Sequence, residues 1–322
     1  MGKRCWSTAL TIFGVTAATI PTYSRVNQQQ QFPRWSWDTV QLHAHCSNTS
    51  ASAELPFRPD VAQWLASLPF VVIEKTQGSD TAPANGSAQD KILSAAAQLR
   101  AANASSRVFL YFMTDWSRPA YRLGQWFQER PPYLLRNTTG QLVSKYGGVH
   151  FFDYSAAPAR THWATALANI TQMTGITNMT HIASSDGRPL LSGLFLDGPF
   201  SIRNFRDASP ASRTSWDAGF QDTLHQLRSA MPATSAIIRE HDPHSNCSQC
   251  AGLMNQGWCK SGSASAGVSG CVGYLTDAPR DRFHEVNSGS CRSPTDLILS
   301  LAVFLLGVQE HQYFGCDKVN RA

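Results

Sequence analysis

Short apolar runs alternate along the chain with longer stretches in which apolar residues recur at helical spacing. The short runs are rich in β-branched and aromatic residues, as in buried strands, and the longer periodic stretches are typical of amphipathic helices. Predicted strands cover residues 40–45, 70–75, 108–113, 191–197, 236–240, 272–276 and 311–314, and predicted helices cover residues 88–102, 120–130, 161–173, 215–231 and 295–308. This alternation predicts an α/β fold with a mainly parallel sheet.

The number of predicted strands, near eight, favours a closed (β/α)8 barrel of the TIM type over an open, doubly wound sheet. The glycine fingerprint G-x-G-x-x-G of dinucleotide-binding sheets does not follow the first predicted strand. The last predicted strand is followed by only a few residues, so we expect the final helix of the barrel to be missing and a Cys-rich insertion to lie in the C-terminal third.

The amino-terminal segment predicts entry into the secretory pathway. A short basic region at Lys3 and Arg4 precedes a mostly apolar stretch, residues 9–20, that is too short and too rich in threonine for a membrane span. We therefore predict a signal peptide at residues 1–20, a polar linker at 21–32 and a single barrel domain at 33–322. The mature protein is expected to be secreted or lumenal, without stable insertion into a membrane.

Acceptor sequences for N-glycosylation indicate the same compartment. The chain contains seven Asn-x-Ser/Thr sequons, at Asn48, Asn85, Asn103, Asn137, Asn169, Asn178 and Asn246. One sequon carries little information, but seven favour a glycoprotein made on the secretory route.

The cysteines also fit an oxidising compartment. Five of the eight cysteines lie close together in a stretch rich in Gly and Ser, at Cys247, Cys250, Cys259, Cys271 and Cys291. The Cys-x-x-Cys pair that opens this stretch is one half of a possible zinc site, but no second pair follows at the required spacing. We therefore expect disulfides, whose connectivity the sequence leaves open.

The charge pattern argues against nucleic acid as a partner. Charged residues make up 15% of the chain and the formal net charge is +5, yet no run of Lys and Arg forms a surface that tracks phosphates. We interpret the basic excess as solvated surface.

Acidic residues stand at the carboxyl ends of most predicted strands. Because these ends meet at one mouth of a (β/α) barrel, the acids are expected to lie close together there. They are Glu74, Asp115, Asp197, Glu240 and Asp277, while Glu310 begins the last predicted strand. Asp197 is the strongest candidate, because it ends an apolar strand and Gly198 allows a ligand or the backbone to approach closely.

Several motifs resemble those of glycoside hydrolase barrels. The stretches FFDYSAAPARTHWATAL and LSGLFLDGPF look like the segment that leads to the nucleophile in barrels of the alpha-amylase and alpha-galactosidase type. SWDTVQLHAHC, FVVIEKTQG, FFDYS, FLDG and FLLGVQEHQYFGC together resemble a group of uncharacterised glycoside-hydrolase-like barrel proteins, over most of residues 35–316.

The resemblance implies a hydrolase that acts on a carbohydrate substrate. It places Asp197 at the position of the nucleophile, Glu240 at that of the acid/base, and Asp277 as a third carboxylate. The Cys-rich insertion departs from the family's pattern near Asp277. No cofactor and no metal are implied.

The cleavage of a glycosidic bond requires two carboxyl groups, one of which is held protonated as the acid. Glu74, Asp115 and His45 are expected to contact sugar hydroxyls. Among the aromatic residues, Trp116, Tyr121 and Trp258 are candidates to pack against sugar rings, since sugars present apolar faces.

Two other functions fit the same fold. His43 and His45 lie two residues apart on the first predicted strand and so point to one face, which resembles the zinc-binding His-x-His of metal-dependent amidohydrolases. A barrel that binds carbohydrate without catalysis is the other alternative, because a fold does not determine a function.

Overall fold

The computed structural model of the chain describes residues 41–51, 55–79, 87–146, 149–176, 179–183, 187–198, 202, 209–232, 234–240, 247, 249–258, 267–277, 283–288 and 294–316. The predicted signal peptide and polar linker lie outside this part of the chain. No described helix combines the length and the mean hydropathy that would allow it to cross a bilayer.

Eight parallel strands form a nearly closed barrel, as the sequence predicts. We number them in chain order, and each strand pairs with the next. They are β1 (Ala44–Cys46), β2 (Val71–Ile73), β3 (Val108–Met113), β4 (Gly193–Asp197), β5 (Ala236–Glu240), β6 (Gly252–Trp258), β7 (Phe283–Ser288) and β8 (Gln312–Cys316).

Backbone hydrogen bonds join the first and last strands. The amide of His43 donates to the carbonyl of Phe314 at 3.1 Å, and the amide of Phe314 donates to the carbonyl of Gln41 at 2.9 Å. Leu42 and Phe314 form a parallel bridge between these bonds. The two edges of the sheet therefore meet, and the carboxyl ends of all eight strands surround one mouth.

Helices connect most of the strands. They are α1 (Pro59–Ser67), α2 (Ala88–Ala102), α3 (Arg122–Gln128), α4 (Ala157–Thr171), α5 (Pro210–Ala230), α6 (Gly267–Asp277) and α7 (Pro294–Gly307). Short antiparallel hairpins pair Ser144–Tyr146 with Val149–His150 and Gly175–Ile176 with Met179–Ala183.

Burial on both faces explains why strands β2 to β4 read as continuous apolar runs. All six residues of β3 are buried, as are all three of β2 and the first four of β4. Helix α2 begins with a capping box, in which Ser87 and Asp90 each bind the other's backbone amide. The apolar core thus lies both inside the barrel and between the barrel and its helices.

The prediction of a strand at residues 272–276 is wrong. These residues belong to helix α6, in which Cys271 and Leu275 are buried. The strands that follow β5 are β6 and β7, which the apolar pattern did not reveal. Asp277 is therefore the exposed last residue of a helix rather than the end of a barrel strand.

The Cys-rich stretch contains a disulfide between Cys247 and Cys250. This pair is the Cys-x-x-Cys motif, so its sulfurs are bonded to each other rather than arranged as metal ligands. Cys271 is also disulfide-bonded. Cys259 and Cys291 lie outside the described residues.

Candidate active site at the barrel mouth

Asp197 lies at the carboxyl end of β4, where the strand opens into the mouth. Its side chain is 22% exposed, whereas the preceding residues of the strand are fully buried. The carbonyl of Asp197 accepts the amide of Thr114 at 2.7 Å and the Thr114 hydroxyl at 3.1 Å. These two bonds attach the backbone of Asp197 to Thr114, the residue that directly follows β3.

Gly198 allows this close packing. Its φ of +124° is rarely adopted by residues with a side chain, and a Cβ atom there would lie 2.7 Å from Oγ1 of Thr114 and 2.9 Å from Oδ1 of Asp115. Only glycine fits between these atoms. Gly198 therefore allows a close approach of the backbone to the side chains of Thr114 and Asp115, which agrees with one of the two roles predicted for it.

Lys75 lies between the carboxylates of two strand ends. It directly follows Glu74 beyond β2, and its Nζ atom lies 3.9 Å from Oδ2 of Asp197 and 3.5 Å from Oε2 of Glu74. The same ammonium donates a hydrogen bond of 2.5 Å to the hydroxyl of Tyr111. One cation thus compensates two neighbouring anions, at a position that is 22% exposed.

Glu74 also pairs with the first strand. Nε2 of His45 lies 3.1 Å from Oε1 of Glu74. Burial would raise the pKa of Glu74, but the charge and hydrogen bonds of His45 and Lys75 outweigh burial and lower that pKa to about 2. Glu74 is therefore ionised at neutral pH.

An aromatic layer lies directly below these charges. The rings of Tyr111 and Phe195 stack with centroids 5.6 Å apart, and the His45 ring meets Phe195 edge-on at 4.9 Å. Tyr111 and Phe195 come from the middle of β3 and β4, and both are buried. The rings thus pack directly against the His45 imidazole and the Lys75 ammonium, whose Nζ atom lies 4.0 Å from the centroid of the Tyr111 ring.

Asp115 and Trp116 lie beneath the mouth rather than on its surface. Asp115 is 1% exposed and Trp116 is 6% exposed. The indole Nε1 of Trp116 donates to Oδ2 of Asp115, and the amide of Phe152 donates to the Asp115 carbonyl at 3.0 Å. Burial, with the nearby Asp115 charge, raises the pKa of Tyr154 well above its ordinary value.

Tyr121, predicted as an aromatic sugar contact, is buried as well. Its hydroxyl donates to the carbonyl of Tyr111 at 2.7 Å, so it supports the strand that carries Tyr111. Trp258 is the last residue of β6, at the mouth end of that strand. The aromatic residues that the structure places directly below Lys75 and His45 are Tyr111 and Phe195.

Glu240 ends the strand next to that of Asp197. The last paired positions of β4 and β5 are Leu196 and Arg239, and each strand continues by one residue, to Asp197 and to Glu240. The backbone therefore places these two residues side by side at the mouth. Asp277 is not part of this row, since it lies at the end of helix α6.

Sequence analysis missed a second carboxylate–imidazole pair deeper in the barrel. Nε2 of His43 lies 2.5 Å from Oε1 of Glu285 on β7, and both side chains are fully buried. The His43 ring also stacks on Phe70 at 5.1 Å. The His-x-His spacing on the first strand points to His45 as the partner of His43, and the mixed polar and apolar sequence of β7 (FHEVNS) does not mark Glu285 as a residue of a barrel strand.

Both histidines of the His-x-His motif thus lie against carboxylates of other strands, His43 beside Glu285 and His45 beside Glu74. Within the described ranges, no group of three or more His, Cys, Asp or Glu residues is arranged to hold a metal ion.

Several solved structures align with most of this chain at low sequence identity. A noncanonic maltogenic alpha-amylase from Thermotoga neapolitana aligns with a TM-score of 0.51 at 12% identity, over 86% of this chain and 67% of the amylase. A GH36 alpha-galactosidase from Geobacillus stearothermophilus aligns at 0.49 and 10% identity, over 88% of this chain and 39% of the galactosidase. A glucosidase II alpha subunit aligns at 0.41 and 9% identity, over 92% and 29% of the two chains.

The chain therefore spans well under half of the galactosidase and the glucosidase subunit. At such low identity the likeness to the amylase shows a shared fold, so the resemblance to glycoside hydrolase barrels is confirmed at the level of the fold. No protein-family model and no curated protein matches the sequence.

Proposed function

We propose that the protein hydrolyses a glycosidic bond of a carbohydrate bound at the barrel mouth, with Asp197 as the nucleophile or base and Glu240 as the acid/base. The observation that carries the proposal is the position of Asp197. Its carboxylate is partly exposed at the end of a rigid strand, next to the Lys75 ammonium and above an aromatic layer. Rigid strand ends are where barrels of this type place reacting groups.

The spacing of neighbouring strands supports a carboxyl pair. Adjacent strands lie about 4.8 Å apart, and the two carboxyl groups of glycosidases are separated by about 5–10 Å. Asp197 and Glu240 end neighbouring strands at equivalent levels. The stereochemical outcome, retention or inversion, depends on the separation of the carboxyl groups.

The low pKa of Glu74 makes this residue unsuited to be the proton donor of the reaction. A carboxyl group with a pKa of about 2 is deprotonated at neutral pH and cannot serve as the proton donor. It is suited to accept hydrogen bonds from sugar hydroxyls, together with the adjoining His45 and Lys75. Asp115 and Trp116 support the floor of the site from beneath, where the loop after β3 packs.

We also propose that the protein acts in the lumen of the secretory pathway or outside the cell. The predicted signal peptide, the seven sequons and the Cys247–Cys250 disulfide support this location. The carbohydrate substrate and the compartment are independent parts of the proposal, and each can fail alone.

The test compares the purified protein with Asp197→Asn and Glu240→Gln on a broad panel of oligosaccharides, with release of reducing ends as the readout. We expect hydrolysis by the wild type and a loss of about 10²–10⁴-fold in each variant. Asp60→Asn is the matched control, because Asp60 lies on the exposed surface of α1, and it should keep full activity. Urea unfolding of each variant verifies the fold.

Unchanged hydrolysis by Asp197→Asn would exclude the mechanism. If calorimetry detects a sugar that binds but is not cleaved, and binding weakens in Asp197→Asn, the protein is a carbohydrate-binding barrel instead. Stoichiometric zinc that is lost in His43→Ala and His45→Ala would favour the amidohydrolase alternative.

A further inference from the structure

Four of the seven sequons lie in the described part of the chain, at Asn48, Asn103, Asn137 and Asn169. All four match the same acceptor pattern. Their amide nitrogens, to which a glycan would be attached, have different surroundings in the folded protein. The sequons at Asn85, Asn178 and Asn246 lie outside the described residues.

At two of the sequons the amide nitrogen holds distant parts of the fold together. Nδ2 of Asn48 donates to the carbonyl of Pro56 at 3.0 Å. Nδ2 of Asn103, at the end of α2, donates to the carbonyl of Ala66 at 2.8 Å, next to the end of α1. Both asparagines are half-buried. Glycosylation replaces one of the two amide hydrogens, so a sugar on either nitrogen would have to fit beside a backbone segment that lies within 3.0 Å of that nitrogen.

Asn137 makes its structural contacts through the other amide atom. Its Oδ1 accepts the amide of Thr139 at 3.0 Å, the Thr139 hydroxyl at 2.8 Å and the amide of Gln141 at 2.8 Å. Its Nδ2 makes one long contact of 3.5 Å, with Oε1 of Gln141. Asn137 is half-buried, like Asn48 and Asn103, but its neighbours Arg136 and Thr138 are exposed and the contact of its nitrogen with Gln141 stays within the same turn.

Asn169 lies on the outer surface of helix α4, in its last turn, three residues before the C-cap residue Gln172. It is exposed, while its neighbours Ala168 and Ile170 are buried. The backbone carbonyl of Asn169 accepts the amide of Gln172 at 3.1 Å. This bond at the end of the helix uses the backbone of Asn169 and not its side-chain amide. A glycan there would extend into solvent.

We propose that Asn137 and Asn169 carry N-linked glycans and that Asn48 and Asn103 do not. This inference rests on the proposed secretory location. In the transfer, Nδ2 loses a proton and bonds to the anomeric carbon of an oligosaccharide. The bond from that carbon to its polyprenyl-pyrophosphate carrier breaks, and the pyrophosphate leaves with the electron pair. A bulky, solvated group is tolerated on a surface nitrogen and conflicts with one that is packed against backbone.

The experiment expresses the full chain in a secreting eukaryotic cell and purifies the folded protein. Enzymatic removal of the glycans in heavy-oxygen water tags each asparagine that carried one, and peptide mass spectrometry identifies the tagged sites. We expect tags at Asn137 and Asn169 in most molecules and in few molecules at Asn48 and Asn103.

Variants provide a second readout that preserves the fold. Asn137→Gln and Asn169→Gln should each increase mobility on a denaturing gel by one glycan, and the double variant by two. Ser50→Ala and Ser105→Ala remove the other two sequons but leave Asn48 and Asn103 in place, because both serines are exposed and bond to those side chains only through backbone amides. These two variants should run like the wild type.

The outcomes separate this inference from the proposals on which it rests. Tags at Asn85, Asn178 or Asn246 without tags at Asn137 and Asn169 would overturn the assignment of sites but not the secretory location. Frequent tags at Asn48 or Asn103 in folded protein would overturn it as well. A protein without any tag would contradict both the inference and the proposed compartment, and hydrolysis by the untagged protein would leave the proposed activity standing.

Discussion

The imidazole of His45 lies 3.1 Å from the carboxylate of Glu74, across the gap between the first two strands of the barrel. Lys75 approaches the other oxygen of the same carboxylate at 3.5 Å. Burial alone would disfavour an ionised Glu74, yet these two partners lower its pKa to about 2. The candidate active site therefore contributes to the dependence of folding stability on pH.

We predict that Glu74→Gln flattens the acid part of the stability profile. Because the pKa of Glu74 in the folded protein lies below its ordinary value of 4.5, the ionised group stabilises the fold above pH 4.5, and this contribution disappears as the pH falls towards about 2. The variant should lose about 2–3 kcal/mol in the free energy of unfolding at pH 7 and approach the wild type near pH 2. Urea unfolding across this range measures both profiles.

Glu129→Gln is the control for this prediction, because Glu129 is largely exposed and pairs with the surface residue Arg130 at 3.4 Å. Its stability profile should follow that of the wild type. If the free energy of unfolding of Glu74→Gln differed from that of the wild type by the same amount at every pH, the lowered pKa would not belong to Glu74.

Gly198→Ala should destabilise the protein and displace the carboxylate of Asp197. The new Cβ would lie 2.7 Å from Oγ1 of Thr114, and the φ of +124° is strained for alanine. We expect a loss of about 2–4 kcal/mol, from backbone strain together with overpacking. Thermal or urea unfolding measures the loss.

Gly140→Ala separates the two contributions. Gly140 also has a positive φ, +80°, but a Cβ atom there would have no neighbour within 4 Å. This variant should show the strain alone, about 1–2 kcal/mol. Equal losses in the two variants would mean that the contact with Thr114 is relieved by small movements.

The sequence was sufficient to predict the architecture of the first five strands. Where a strand is buried on both faces it appears as a continuous apolar run, and the predicted bounds of β3 and β5 agree with the structure. Asp197 was placed at a strand end for the same reason, since four apolar or glycine positions precede it in β4. An apolar run that ends in a charge marks the boundary between a barrel interior and its mouth.

The last third of the barrel was less predictable, for two physical reasons. The short apolar run at residues 272–276 is compatible with either a strand or a buried helix, and the structure makes it a helix, α6. Strand β7 contains His284 and Glu285, which are both buried and have no apolar signature. Which residues contact Lys75 depends on the curvature of the barrel, and sequence spacing does not encode that relationship.

Asp277 lies at the end of helix α6 and not at a strand end. If the carboxylates that react are those at strand ends, Asp277→Asn should leave hydrolysis unchanged, because Asp277 is exposed at the end of α6. Asp197→Asn should lower the rate of hydrolysis about 10²–10⁴-fold under the same conditions. Assay of both variants on the best substrate of the panel makes the comparison. A large loss of activity in Asp277→Asn would show that the end of α6 reaches the substrate.

The buried pair of His43 and Glu285 provides a test of the barrel interior. Its two side chains are fully buried and lie 2.5 Å apart, so removal of one partner takes a close imidazole–carboxylate contact away from a side chain that stays in the core. We expect His43→Leu to lower the free energy of unfolding by about 3–5 kcal/mol, and the double variant His43→Leu/Glu285→Leu to recover most of that loss because apolar side chains then replace both members of the pair. Urea unfolding of the two single variants and the double variant forms a double-mutant cycle that gives the coupling energy. If the losses of the single variants simply add in the double variant, the two groups do not compensate each other, and each would be held by other parts of the core.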